Sequence, residues 1–345
     1  MTGPASGPLH VVVGARGQIG AHVVTTLAER GARIRAVTRA PATPPVADHH
    51  RAVHGRDHDG DHDRAHGDIG DPADAIRLCA GADVIYACMG GPHATWAAEL
   101  PRMTGGLLAG AARAGARVVF ADNLYAYGAQ DQPLTEDSPL RPRGGKPALR
   151  AEIAAQLLAA DRRGEVPVAI ARASDLYGPG VERAMAGAAL VRSALAGRTL
   201  WLPGDLDAPH TFSYAPDVAR AMIQLADADD VWGRVWHVPS APALSLRALV
   251  AAIGGLAGTT PRARRLPTVA VRLAGLFARD VRELVELAFQ WDRPYLVSHA
   301  RFAARFGAAP TSIADGLRAT AAWLARRAPA VAAGGPVSAP PATAR

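Results

Sequence analysis

Lysine, cysteine and aromatic residues are scarce in this chain of 345 residues. The two cysteines, Cys79 and Cys88, lie in apolar segments, so we expect buried free thiols in a reducing compartment rather than a disulfide. Aromatic residues make up 5% of the chain, and the basic residues are scattered rather than clustered. Because nucleic-acid binding needs a basic stripe beside stacking aromatics, the sequence predicts no nucleic-acid partner in spite of its net charge of +7.

Long apolar runs are missing as well. No window reaches the run of about 18 apolar residues that a membrane helix needs. The first residues, Met1 to Pro8, contain no basic region followed by an apolar stretch, so no signal peptide is expected. With 49% hydrophobic and 20% charged residues, the composition is typical of a globular protein. These absences predict a cytoplasmic protein with no membrane partner.

The scarcity of lysine singles out one residue. Lys146 is the only lysine among 38 basic residues. The high content of Ala, Arg, Gly and Pro indicates a drift that replaced lysine by arginine elsewhere, so a surviving lysine is a candidate for a chemical role. The alternative is a chance survivor in an exposed loop.

What the chain does contain is a glycine-rich turn close to its start. The β-branched run 11–13 leads into three glycines, Gly14, Gly17 and Gly20, and an amphipathic segment follows. Gly14 lets the chain turn sharply, Gly17 leaves room for a pyrophosphate, and Gly20 lets the helix pack closely on the strand. The helix N-terminus supplies free N–H groups and the positive end of its dipole to the anion. The pattern predicts a phosphate site on the backbone.

Strands and helices alternate after this turn. Strands are expected at 33–38, 84–88, 117–121 and 166–172, with helices at 21–30, 72–80, up to 114, and 148–163. This alternation predicts an α/β fold with a doubly wound parallel sheet and ligands beyond the carboxyl ends of its strands.

The alternation weakens from Val181 onward, which predicts a smaller, mostly helical C-terminal substrate domain. We expect a dinucleotide-binding domain over 8–180, to which 211–240 return. The substrate domain then covers 181–210 and 241–328, and the Ala-, Pro- and Gly-rich residues 329–345 form a disordered tail.

A histidine-rich stretch separates the second and third strands. Histidines recur there at every fourth residue, namely His50, His54, His58, His62 and His66. Such a period could line one helix face and bind zinc, but Gly55 and Gly60 interrupt it. We therefore predict a polar surface loop and no metal site.

Several motifs, in order along the chain, resemble those of the short-chain dehydrogenase/reductase superfamily, in its extended NAD-dependent epimerase/dehydratase branch. The resemblance runs from about Leu9 to Leu324. It is carried by residues 14–20, 67–69, 81–86, 127–128, 135–139, 172, 177–180 and 214–219. It implies a Rossmann sheet and a nicotinamide dinucleotide cofactor.

The resemblance also implies which residues contact the cofactor. Gly14, Gly17 and Gly20 would hold the pyrophosphate, and Arg16, Gln18 and Ile19 of the same turn are further candidates for contact with the cofactor. Asp68 and Ile69 would lie near the adenine, and Ala87, Cys88 and Met89 would border the ribose end of the cleft. Ser174 and Asp175 fall where the family places residues beside the nicotinamide and the substrate.

The end of the second strand bears on cofactor choice. An NAD site usually carries an acid there for the ribose 2′-OH, but this chain has Thr38 and Arg39, and Arg16 lies in the glycine turn. Two guanidinium groups suit a 2′-phosphate, so we predict NADP(H) over NAD(H). The alternative is that both arginines are solvated surface charges.

The catalytic centre departs from the family pattern, which is a Ser or Thr with a Tyr and a Lys. Asn123 stands at the Ser/Thr position, Lys146 at the tyrosine position and Arg150 at the lysine position. In one interpretation Tyr125 donates the proton, Arg150 or Lys146 depresses its pKa, and Asn123 binds the substrate carbonyl.

Two other interpretations stay open. Bound NADP(H) could be structural while Asp175, His210 or Tyr125 shuttles protons in an isomerisation, elimination or cyclisation. Alternatively, the protein could sense the redox state of NADP(H) without catalysis. We predict an NADP(H)-binding oxidoreductase acting on a small carbonyl or alcohol compound, with a homodimer as a further possibility.

Overall fold

A computed structural model of the chain describes residues 7–39, 63–266, 286–307 and 309–327. Its strands are β1 (Leu9–Val13), β2 (Arg33–Thr38), β3 (Asp63–His66), β4 (Val84–Ala87), β5 (Arg117–Asp122), β6 (Val168–Arg172), β7 (Asp175–Tyr177), β8 (Thr199–Leu202), β9 (Pro209–His210), β10 (Phe212–Tyr214), β11 (Arg234–His237), β12 (Leu244–Ser245) and β13 (Arg262–Arg265). Its α-helices are α1 (Gly20–Glu29), α2 (Pro72–Cys79), α3 (Trp96–Ala114), α4 (Gly145–Arg162), α5 (Ala188–Leu195), α6 (Ala215–Ala226), α7 (Leu246–Leu256), α8 (Ala300–Phe306) and α9 (Ile313–Arg327).

Seven strands form one sheet in the order β11-β6-β5-β4-β1-β2-β3, and every neighbouring pair is parallel. Successive side chains point to opposite faces of a strand. Val11 and Val13 of β1 face an apolar layer that includes α2, α3 and α4, whereas Val12 faces a second layer with α1 and α6. Both faces are covered, so β1, β4 and β6 are buried along their whole length. The predicted doubly wound sheet is confirmed.

The strand order reverses between β1 and β4. From β1 the chain adds β2 and β3 on one side, and then it crosses over to add β4, β5 and β6 on the other. Parallel strands end at the same edge of the sheet, and ligands of such sheets bind in the crevice at the point of reversal. The residues that follow β1, β2, β4, β5 and β6 therefore meet at one edge.

A separate apolar cluster is formed mainly by the later part of the chain. It includes Val191 of α5, Leu249 of α7 and Leu317 of α9, together with Tyr177 and Phe212. Three two-stranded sheets, β10–β7, β12–β9 and β13–β8, belong to the same part of the chain. The chain returns to the main sheet at β11, which pairs with β6. The domain boundaries given above remain a prediction.

Several element boundaries differ from the sequence prediction. Helix α4 begins at Gly145, three residues earlier than expected, so Lys146 lies in its first turn and is 8% exposed. The alternative of an exposed loop lysine is therefore wrong. Strand β3 starts at Asp63, inside the stretch assigned to a loop, because it pairs with β2. The rest of the histidine-rich stretch, 40–62, lies outside the described residues, as does the predicted tail.

Both cysteines are free thiols, as expected. Cys79 is buried under α3, and Cys88 is partly buried at the end of β4. Within the ranges that the structure describes, no helix is both long and apolar enough to cross a membrane, and no group of metal-binding side chains comes together.

Candidate functional site

The glycine turn lies where β1 meets its two neighbouring strands. Gly14 has a φ of +80°, and its N–H group donates to the carbonyl of Val37 at the end of β2. A Cβ atom on Gly14 would stand 2.5 Å from the carbonyl oxygen of Cys88, just after β4. Only glycine fits this backbone conformation and this close approach. The expected sharp turn at Gly14 is confirmed.

Gly20 and Gly17 allow the turn to close on itself. A Cβ on Gly20 would lie 2.2 Å from the Gly14 carbonyl oxygen, and one on Gly17 would lie 3.0 Å from the same atom. Helix α1 begins at Gly20, and Ile19 before it gives no side-chain cap. The N–H groups of Ala21, His22 and Val23 donate to the carbonyls of Gly17 and Ile19, so the N–H of Gly20 and the positive end of the helix dipole are what the start of α1 offers to an anion at the turn. This glycine cradle fits the phosphates of a dinucleotide.

Gln18 links the glycine turn to a later part of the chain. Its side-chain oxygen accepts hydrogen bonds from the backbone N–H groups of Glu182 and Arg183, at 2.9 and 2.8 Å. His22 of α1 also bonds to the carbonyl of Pro179, at 2.8 Å. The Gln18 side chain thus ties the turn to the segment after β7, and the contact of Gln18 with the cofactor stays a prediction.

Charged pairs occupy the edge of the site near β2 and β3. Arg39 donates to Glu99 of α3 at 3.0 Å, and Thr38 contacts His66 at 2.9 Å. The Arg39 guanidinium is thus half-exposed at the expected position but paired with a carboxylate. Arg16 lies exposed in the glycine turn.

The part of the site predicted to lie near the adenine has its own ion pair. Asp68 accepts from Arg102 at 2.6 Å and from the N–H of Gly70 at 3.0 Å. The Arg102 hydrogen bond is the main reason why the pKa of Asp68 is lowered. Ile69 is buried beneath it, and its carbonyl packs against Gly106 of α3. Both carboxylate oxygens of Asp68 thus have protein partners.

The ends of β4 and β6 line the middle of the edge. Ala87 and Met89 are buried, and burial raises the pKa of the Cys88 thiol to about 12, so this thiol stays neutral. Ser174 follows β6, and its N–H donates to Ser213. The Ser174 hydroxyl oxygen is buried and has no hydrogen-bond partner among the described residues. A buried hydroxyl without a partner is costly, so it is suited to meet a bound polar group.

Tyr125 lies just past β5, in a short 3₁₀ turn. Its N–H donates to the side-chain oxygen of Asn123, at 3.1 Å, and its ring stacks on Trp96 with 6.2 Å between centroids. Burial is the main cause that raises the pKa of Tyr125; Asp175 raises it further, and Arg150 opposes the shift. The expectation that a neighbouring cation depresses this pKa is wrong in net direction. Tyr125 is a neutral phenol at physiological pH.

The two candidate cations of α4 have separate partners. The ammonium nitrogen of Lys146 lies 3.2 Å from one carboxylate oxygen of Glu286. The backbone N–H of Lys146 donates to the other carboxylate oxygen at 2.7 Å. Arg150 lies one turn further, with its guanidinium 4.3 Å above the centre of the Trp96 ring. Of the two cations, Arg150 is the one whose charge lowers the pKa of Tyr125. Lys146 anchors the start of α4.

Asp175 forms a pair that the sequence left undecided. One of its carboxylate oxygens lies 3.2 Å from the Nε2 of buried His210. The other ring nitrogen, Nδ1, lies 3.1 Å from the carbonyl oxygen of Gln290, which can only accept, so Nδ1 carries a hydrogen. The imidazole stacks on Trp291 at 4.1 Å between centroids. Asp175 thus stands between Tyr125 and an immobilised imidazole.

Two residues of the site, Asp122 and Gln290, went unrecognised from the sequence. Asp122 ends β5, and its carboxylate lies between Arg150 and Arg172. The side chain of Gln290, 165 residues after Tyr125 in the chain, lies close enough to the phenol to lower its pKa. A charged residue inside the apolar run of β5 was a usable signal for Asp122, whereas nothing local pointed to Gln290.

Comparison with known proteins now decides the family. The profile of the NAD dependent epimerase/dehydratase family matches residues 10–238. The chain belongs to this family. Membership supports an oxidoreductase-like role and a nicotinamide dinucleotide as the class of cofactor, and the glycine cradle, the uncapped α1 and the Ser174 hydroxyl fit such a group. No curated protein sequence matches the chain significantly.

Solved structures agree with the family at the level of the fold. A double mutant of DesIV, a dTDP-glucose 4,6-dehydratase from Streptomyces venezuelae with NAD and DAU bound, is 24% identical, with a TM-score of 0.73 over 93% of this chain and 98% of that one. The UDP-glucuronic acid 4-epimerase from Bacillus cereus, in complex with NAD, is 17% identical, with a TM-score of 0.73 over 92% and 96%. At these identities the likeness establishes the fold.

Proposed function

We propose that this chain is an NADP(H)-dependent oxidoreductase acting on a small carbonyl or alcohol compound, with Tyr125 as the proton donor. The observation that carries the proposal is the half-buried, neutral phenol of Tyr125, which follows β5 at the sheet edge that carries the glycine turn and whose pKa responds to Arg150, Asp175 and Gln290. A nicotinamide dinucleotide, when bound, supplies a hydride to a substrate carbon or accepts one from it. Tyr125 and the side chains around it handle the proton.

Each neighbour of Tyr125 has a part in moving this proton. The phenol donates to the substrate oxygen, and the nearby Arg150 cation stabilises the negative charge left on Tyr125. A proton from solvent then restores the phenol, and the negative charge of Asp175 favours this protonated form because it raises the pKa of Tyr125. The side-chain oxygen of Asn123 is engaged by the Tyr125 N–H, which leaves the amide N–H groups of Asn123 as donors to the substrate carbonyl.

The raised pKa of Tyr125 favours carbonyl reduction over alcohol oxidation, because oxidation needs a base. We expect the reductive rate to change little between about pH 6 and 9, where the phenol stays protonated, and the oxidative rate to rise with pH. Initial rates measured in both directions across this range check the expectation. Replacement of Asp175 by Asn should shift the oxidative profile to lower pH, since the carboxylate raises the pKa. An oxidative rate that falls as pH rises contradicts this role of Tyr125.

Cofactor choice depends on Arg39. The end of β2 carries no carboxylate, and a 2′-phosphate can replace Glu99 as the partner of the Arg39 guanidinium. We expect Arg39→Ala to weaken NADPH binding by about 10-fold, with NADH binding unchanged. Glu99→Gln, which removes the competing carboxylate, should strengthen NADPH binding. Titration of nicotinamide fluorescence measures both.

Arg30→Ala is the matched control for this measurement. Arg30 is as exposed as Arg39, and it pairs with Asp227 at 2.8 Å. It lies at the C-terminal end of α1, away from the glycine turn. The preference for NADP(H) is refuted if NADH binds as tightly as NADPH, or if Arg39→Ala and Arg30→Ala have equal effects.

The oxidoreductase proposal itself is tested by NADPH oxidation with a panel of small aldehydes, ketones and oxo acids. Turnover with at least one class, at a rate above that of a protein-free control, is the expected result. Tight NADPH binding without turnover on any member of the panel would overturn it in favour of a non-redox or sensing role.

A further inference from the structure

A buried cluster of three charges lies beside Tyr125. It consists of Asp122 with a side chain 2% exposed, Arg172 with one 3% exposed, and Arg150 with one 6% exposed. Two guanidinium groups face a single carboxylate, so the cluster has an excess of one positive charge. A buried charge without a counter-charge is strongly unfavourable.

The excess charge belongs to Arg150 rather than to Arg172. The Nε of Arg172 donates to Asp122 at 3.0 Å, and the Arg172 guanidinium also covers the ring of Tyr127. By contrast, Nη1 of Arg150 lies 3.4 Å from Asp122, without the geometry of a hydrogen bond. The Nε and Nη1 atoms of Arg150 are buried and have no hydrogen-bond partner among the described residues. Arg150 thus has donors to offer.

The position of Arg150 indicates what would bind there. Its guanidinium lies over one face of Trp96, whose ring stacks with Tyr125, and its charge acts on the Tyr125 phenol. An anion held by Arg150 would lie close to the group that donates the proton. A monoanion neutralises the excess charge, whereas a dianion such as a phosphate ester would leave a buried negative charge.

We infer that Arg150 forms an anion subsite for the substrate, which is a small oxo or hydroxy acid. Its carboxylate lies against Arg150, and its carbonyl or hydroxyl oxygen faces Tyr125. The assignment rests on the proposed function, since it names the substrate class of the same site. It also keeps the two carboxylates of the site apart, because the substrate carboxylate lies at Arg150 and not beside Asp175.

Calorimetric titration of the full chain with 2-oxobutyrate and with its methyl ester, each with and without NADP⁺, tests the subsite. The ester keeps the carbonyl and loses the charge, so the acid should bind about 10- to 100-fold more tightly. Arg150→Met, which keeps the length of the side chain, should remove this difference. Arg150→Lys, which keeps the charge but loses the planar fork, should retain part of it.

Arg163→Met is the matched control, because Arg163 directly follows α4, is exposed and pairs with Glu165. It should bind the acid as the natural chain does. Thermal unfolding of Arg150→Met supplies a further readout. The remaining Asp122–Arg172 pair is neutral, so the variant should unfold at no lower temperature. A role for Arg150 as a purely structural counter-ion predicts a clear loss of stability instead.

Equal binding of acid and ester, or undiminished acid binding by Arg150→Met, overturns the inference. So does inorganic phosphate binding as tightly as the acid, or a loss of NADPH affinity instead of acid affinity in Arg150→Met. NADPH oxidation with neutral ketones but no preference for acids leaves the proposed function standing and removes the subsite. Acid binding that depends on Arg150, without NADPH oxidation by any carbonyl, leaves the subsite standing and removes the proposed function.

Discussion

Replacement of Tyr125 by phenylalanine should lower the turnover of NADPH with a carbonyl substrate by about 10²- to 10⁴-fold, the usual contribution of a positioned proton donor. The affinity for NADPH should stay the same, because the glycine turn and Ser174 are untouched. The ring stacking on Trp96 is also kept, so the loss is assigned to the hydroxyl group alone. Steady-state rates and nicotinamide fluorescence measure the two quantities separately.

Tyr127→Phe is the control for this experiment. Tyr127 is buried two residues further on, and its hydroxyl lies 2.9 Å from Nε2 of His237. Burial lowers the pKa of His237 to about 3, so this imidazole is neutral and the contact is structural. We expect Tyr127→Phe to lose about 1–3 kcal/mol of stability and to keep its turnover. If Tyr125→Phe keeps its turnover too, Tyr125 is not the proton donor.

Replacement of Gly20 by alanine should abolish cofactor binding. The new Cβ would stand 2.2 Å from the carbonyl oxygen of Gly14, and a backbone atom cannot move away cheaply. The turn must therefore open, which withdraws the N-terminus of α1 from the phosphates. We expect NADPH affinity to fall below detection and the free energy of unfolding to drop by about 1–3 kcal/mol, as for other overpacked sites.

Gly105→Ala provides the comparison. Gly105 lies within α3, and a Cβ there would have no atom within 4 Å. Alanine should stabilise the helix by about 0.5–1 kcal/mol and leave NADPH binding unchanged. Fluorescence titration and denaturant unfolding of both variants measure the effects. NADPH binding by Gly20→Ala at the affinity of the unaltered chain would show that the turn does not hold the cofactor.

The glycine turn was predictable because its determinants are adjacent in the sequence. The run 11–13, Gly14 and Gly20 specify a strand, a turn and a helix within a few residues, and the clashes at Gly14 and Gly20 account for both glycines. The alternation of strands and helices extended this local information to the whole sheet. Lys146 shows the limit: its glycine and proline neighbours are typical of a loop, but Glu286, 140 residues later, holds the first turn of α4.

The sequence by itself determined the parallel sheet and the edge where a dinucleotide would lie, because periodicity and glycine spacing are local properties. Only the tertiary structure decided the electrostatics of the site. The pKa of Tyr125 rises instead of falling, because burial and the Asp175 charge both raise it and together outweigh the lowering by Arg150. The unmatched charge of Arg150 likewise arises only where Asp122 and Arg172 meet it. Charges act through space, so their balance depends on side chains that folding brings together from distant parts of the chain.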